Sequence, residues 1–218
     1  MASKNDFERW QDWIKEIYEK EILMFVFWRK IHGEVRDIIK KNPKIQKPSV
    51  FYDLINWSYL SSIQIAAYRQ LDKHKDCTSL AKLLEEISEA PDSITRGNYI
   101  KMWQDKILAS LVADGEFNQF CDKKGDDSIS SSKVRNDLKK LEKRRQVHKE
   151  IRHNKLAHYN VKELKEIPFL SDVDDTIELL DELGKKYYLL LTARNMSSDI
   201  TVQFNWKEIF HYPWIERT

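Results

Sequence analysis

Between Asp6 and Lys41 the chain has no proline and a single glycine, Gly33. Over the same stretch Trp10, Trp13, Ile14, Ile17, Ile22, Phe25, Val26, Ile31, Val35 and Ile38 recur three or four positions apart. That is the period of an amphipathic α-helix, and a helix this long commits the fold to helix-on-helix packing. The whole chain shares the bias: only five Gly and five Pro occur in 218 residues, whereas an all-β fold needs many more turn residues. Charged residues, largely Lys and Glu, make up a third of the composition, as long solvated helices favour.

The pattern predicts further helices in order. "NPKIQKPS" (42–49) breaks the first, and Ser49 is placed to cap "VFYDLINWSYLSSIQIAAYRQL", which is apolar on most sides and therefore expected at the centre of the core. Thr78 opens "SLAKLLEEISEA", which Pro91 ends. A fourth segment runs from about Thr95 to Cys121, and a fifth from near Ser131 to about Ala157 after the loop "KKGDDSISSS", whose Ser and Asp suit a cap. Ser171 or Asp172 is expected to cap the sixth, acidic at its start and basic in its middle as the helix dipole prefers. The aromatic C-terminal tail, 197–218, has no clear period. The expected fold is all-α, an up-and-down helical bundle forming a single domain over 1–218. Cys77 and Cys121 sit in unrelated contexts, so no disulfide framework is expected. "ILMFVFW" (22–28) is too short to cross a bilayer, and the charged N-terminus lacks the pattern of a secretory signal. A cytoplasmic, reducing setting without membrane contact is expected.

Charge is concentrated in the fifth helix. Ten cations and three acids lie between Lys133 and His158, a local excess of seven against a net charge of +2 for the whole chain. Such a stripe suits a polyanion, or is simply a solvated helix face. Val134, Leu138 and Leu141 share one side of this helix, and Arg145, His148, Arg152 and Leu156 continue it. The helix ends in "IRHNKLAHYN" (151–160). Histidine moves protons near neutral pH, and arginine grips phosphate and stabilises charge building on its oxygens. Together they suffice for RNA cleavage by the neighbouring 2′-hydroxyl, without metal or cofactor; the bland alternative is a basic helix end favoured by the dipole. His153 and His158 are five apart, which does not match the helical i,i+4 zinc pair. Arg152 and His158, six apart, point about 120° from each other on an ideal helix. They meet on one phosphate only if the helix frays near Ala157 or a second subunit completes the site.

"RHNKLAH" (152–158) resembles the signature of HEPN domains: an arginine, a polar residue directly after it, a short spacer and a histidine. Its position at the end of a long helix, late in a helical bundle, is similar to theirs. "INWSYLSSIQIAAYRQLDKHKDCTSLAKLLEEI" (55–87) also resembles HEPN proteins of the bacterial abortive-infection type, with Arg69, Leu71 and Asp72 in an arginine–leucine–aspartate-like run that Gln70 interrupts. The resemblance covers roughly 50–195. It implies a homodimer through the motif helices with one composite cleft, and a metal-independent endoribonuclease serving phage defence or a toxin–antitoxin pair, with an antitoxin or defence protein as partner. Arg152 and His158 would then be catalytic. His153, where many members have Asn, would orient the substrate. Asn154, four residues before His158, is placed to orient that ring. Arg145, His148, Lys149 and Lys155 would widen the basic surface for RNA. Many HEPN domains are not nucleases and bind nucleotides, RNA or a partner protein instead, so fold alone does not decide activity.

Other residues carry blander expectations. Trp57, Tyr59, Trp103, Phe117 and Phe120 read as core or core edge. Arg69 reads as a helix-end cation, a structural salt bridge or a second phosphate contact. His32, His74 and His211 have no partner visible in the sequence.

Overall fold

The long N-terminal helix forms, but not as unbroken α-helix. In the computed structural model, which describes residues 4–46, 49–103, 109–151, 170–197 and 205–212, α1 (Lys4–Lys15) passes into a π-helical segment (Glu16–Ile22) and continues as α2 (Leu23–Lys41). The spacing of the buried side chains explains the interruption. Trp10, Ile14, Tyr18 and Ile22 are all buried and each follows the last by four. On a pure α-helix every such step drifts forward by about 40°, so Ile22 would point about 120° away from Trp10. The wider π turn draws it back onto the same side.

Among the described residues six further helices follow, α3 (Val50–Gln70), α4 (Leu80–Glu89), α5 (Arg96–Met102), α6 (Ala109–Phe117), α7 (Ser131–Ile151) and α8 (Leu170–Thr192), with 3-10 turns at Pro91–Ser93, Asn118–Phe120 and Trp206–His211. The caps are local chemistry. Ser49 accepts from the Phe51 amide and Thr95 from Asn98, while Ser79, one residue after Thr78, caps α4 by accepting from Lys82. Ser130 Oγ takes the Lys133 amide at 3.1 Å and so starts α7. Two boundaries differ from expectation. The fourth segment holds two helices rather than one, because α5 closes at Trp103, whose amide reaches back to Ile100 and Lys101. Ser171 and Asp172 lie inside the first turn of α8 rather than capping it. Residues 152–157, the expected end of the fifth helix, lie outside the described residues.

The bundle is all-α; among the described residues the only β pairing is an isolated bridge between Thr95 and Ser128, and no described helix is long and apolar enough to cross a membrane. One cluster of buried side chains extends from Trp10 to Leu191. Its central helix is α8, which touches α1, the π segment, α2, α3, α5 and α7 and buries Val173, Ile177, Leu180, Leu183, Tyr187 and Leu191. The expectation that α3 is central is corrected. Its second half buries Ile63, Ala66 and Ala67, but Val50, Leu54 and Trp57 in its first half are exposed. Phe117 and Phe120 are buried as expected. Arg69 ends α3 in a 2.8 Å salt bridge to Glu21.

Two polar arrangements hold α8 in place. Buried Asp137 on α7 takes Lys186 at 2.5 Å, Lys140 at 2.9 Å and the Tyr187 hydroxyl at 3.2 Å. Burial alone would raise its pKa, but the two ammonium groups outweigh that and hold the carboxyl below its ordinary range. Nearer the start of α8, Tyr18 packs closely against Gly184 and donates to Asp181 at 2.9 Å. A Cβ at position 184 would stand 2.5 Å from Tyr18 Cδ2. Gly184→Ala, although alanine is intrinsically the better helix former by about 1 kcal/mol, is therefore expected to destabilise the protein by about 1–3 kcal/mol through overpacking, read as a lower urea midpoint at unchanged slope.

Candidate nucleic-acid interface

The basic helix is packed on one side and solvated on the other. Ser131 Oγ donates to the Ser88 carbonyl at 2.6 Å, fixing the start of α7 to the end of α4. Val134, Leu138 and Leu141 are buried, and α4 is the main neighbour of α7. The apolar row then gives way to polar groups, as the spacing predicts.

Those polar groups turn inward onto specific partners. Arg145 donates to Asp72 at 3.3 Å and its guanidinium lies 6.0 Å from the Tyr68 ring. One turn earlier, Glu142 receives Lys73 at 2.7 Å, and Lys73 also pairs with Glu85 at 3.1 Å. The short turn after α3 thus offers an acid and a base in succession, and α7 answers with the opposite charges. Arg144 points the other way, to Asp175 at 2.9 Å on α8.

His148 is fully buried, with Nε2 2.9 Å from the Thr176 hydroxyl. That hydroxyl already donates its proton to the Asp172 carbonyl at 2.8 Å. Its oxygen can therefore only accept, which places the imidazole proton on Nε2. Nδ1 is left as a buried acceptor without a hydrogen-bond partner among the described residues. Burial, with Arg144 adding to it, lowers the His148 pKa to about 4.

Of the expected site residues, Arg145, His148 and Lys149 fall in α7, whereas Arg152, His153, Asn154, Lys155 and His158 lie outside the described residues. The structure does not gather the three that it places. Arg145 faces the turn after α3, His148 faces α8, and Lys149 faces solvent. His148 is a neutral group docking two helices and presents no atom to an RNA from this position. The partners Asp72, Asp175 and Thr176 were not singled out for this role. Thr176 had a signal: it falls between Val173 and Ile177 on the buried side of its helix, so a polar side chain there needs a partner. Among the described residues no three His, Cys, Asp or Glu side chains come together as a metal site would require. Compared with known proteins, the chain matches no family model, no curated protein and no solved structure, so the likeness to HEPN domains rests on the residues quoted above.

The neutral state of His148 makes a pH prediction. Above about pH 6.5 the ring is uncharged in both folded and unfolded chains. Between there and pH of about 4 the unfolded chain binds a proton that the folded one refuses, so stability falls with acidity. The loss from this one group is expected to be on the order of 3 kcal/mol between pH 7 and 4. In His148→Gln, urea unfolding across that range should show a correspondingly shallower pH dependence.

Proposed function

We propose that the chain is a metal-independent endoribonuclease of the HEPN type, acting in phage defence or as the toxin of a toxin–antitoxin pair. The observation that carries this reading is the placement of the Arg152–His158 spacing. It begins one residue beyond the last described turn of a basic helix that Asp72, Asp175 and Thr176 tether from two sides. A pair that must address one phosphodiester with correct geometry needs such a fixed base.

In this reading the RNA supplies its own nucleophile. The 2′-hydroxyl attacks the adjacent phosphorus, His158 moves the proton, and Arg152 neutralises charge building on the non-bridging oxygens. The 5′-oxygen leaves with a proton, giving a 2′,3′-cyclic phosphate and a 5′-hydroxyl end. His153 orients the substrate, Asn154 orients His158, and Lys155 contacts the backbone. Two copies pair through the motif helices, so that Arg152 of one and His158 of the other share a cleft. One observation favours the second reading, a catalytically silent helical dimer that binds RNA, a nucleotide or a partner protein. Arg145 and His148, part of the same polar cluster, are engaged inside the fold.

Labelled RNA incubated with the purified protein in EDTA decides between them. Cleavage with a 2′,3′-cyclic end is expected on RNA and not on DNA, which lacks the 2′-hydroxyl. His158→Ala should lose about 10²–10⁴-fold and Arg152→Ala about 10²–10³-fold. RNA left intact at large enzyme excess would sink the nuclease, and a monomer by light scattering at micromolar concentration would remove the shared cleft.

A further inference from the structure

The cations of α7 divide into two sets that the sequence presents as one. Lys133 donates to the Gln119 carbonyl at 2.9 Å, Lys140 pairs with Asp137, Arg144 with Asp175 and Arg145 with Asp72. Arg135, Lys139, Lys143 and Lys149 are exposed, and they have no ion pair or hydrogen bond among the described residues. Arg135, Lys139 and Lys143 follow one another by four, so they form a single outward row with steps of about 6 Å along the axis. Lys149, six residues on, points about 120° away from Lys143 and back toward the side of Arg135, so the four cations spread over one broad solvated face, a ridge about 21 Å long. The one acid on this face whose side chain is described, Glu142, is neutralised by Lys73 at 2.7 Å.

We infer that this ridge is a track for the sugar–phosphate backbone of single-stranded RNA, held by charge without reading the bases. Each cation is a mobile ammonium or guanidinium on the crest of a helix and reaches phosphate oxygens, which carry no sequence information. Two axial steps of about 6 Å and one of about 9 Å exceed the 3.4 Å or so between phosphates along one strand of a duplex, so neighbouring cations can engage separate phosphates. A duplex fits less well. The major groove of A-form RNA is too narrow and deep for side chains to read, and proteins that grip duplex RNA contact several grooves and backbones, whereas these cations all stand on one helix. No exposed aromatic side chain accompanies the row on α7 to stack on bases. The inference deepens the RNA reading above and rests on it for the substrate class alone.

The test separates binding from cleavage by using a short fluorescent 2′-O-methyl oligonucleotide, which cannot be cut. The quadruple variant Arg135→Gln/Lys139→Gln/Lys143→Gln/Lys149→Gln is compared with Lys40→Gln/Lys41→Gln/Lys123→Gln/Lys124→Gln, which removes the same charge from exposed positions elsewhere. All eight side chains are solvated, and circular dichroism checks that both variants fold; the double variant Arg135→Gln/Lys139→Gln serves if the quadruple does not. The wild type and the control are expected to bind with similar salt dependence. The ridge variant should lose at least tenfold in affinity at low salt, and its log–log salt slope should fall by nearly 3, at roughly 0.7 per lost phosphate contact on a single strand. Equal binding by ridge and control variants, no binding by the wild type, or preference for a duplex would each overturn the track. Binding that follows the ridge while cleavable RNA stays intact would leave the track standing and remove only the nuclease.

Discussion

The contact between Tyr18 and Gly184 governs how this bundle is assembled. Only a residue without a Cβ lets the tyrosine ring lie directly on the backbone of α8, and the hydroxyl then reaches Asp181 at 2.9 Å. A second tyrosine, Tyr188, packs beside Tyr18 with ring centroids 5.5 Å apart and donates to Glu19. Both contacts fall on the π-helical segment, whose extra width keeps Trp10, Ile14, Tyr18 and Ile22 on one side. On either side of this point α1 and α2 also lie against α8. α3, α5 and α7 also pack on α8, with α7 joined to it through Asp137, Lys186 and Tyr187.

Much of this was legible as local pattern. Helix existence and caps follow from short-range chemistry, so Ser49, Thr95 and the serines before α7 behave as their positions suggest. What periodicity does not carry is the identity of the neighbour. A helix apolar on most sides reads as central, yet α3 leaves Leu54 and Trp57 in solvent and α8 occupies the middle. The π segment was also hidden, because apolar spacing of three to four tolerates a strict run of fours without revealing the drift it causes. Gly184, one glycine within a long helical pattern, gave no hint of the ring lying on it.

The candidate site divides along the same line. The charge excess of the fifth helix is a property of composition and was plain. Which cations are free was not, since that depends on Asp72, Asp137 and Asp175 arriving from other elements. Arg145 and His148 belong to a row that starts in the core, and they remain half-buried or buried rather than turning to solvent. The pairing of Asp72 and Lys73 with Arg145 and Glu142 gives the short run after α3 a structural role. It couples that turn to the helix leading into Arg152, whatever chemistry follows.

Helix ends ordinarily fray, exchanging their amide hydrogens through small local openings. The last described turns of α7 are differently placed. Opening them breaks the contacts of Arg144 and Arg145, and also exposes His148 from a site that excludes water. Their amides therefore exchange only when neighbouring elements loosen as well, in the same slow class as the core of α8. The stem below Arg152 thus belongs to the cooperative unit of the bundle and is no soft joint.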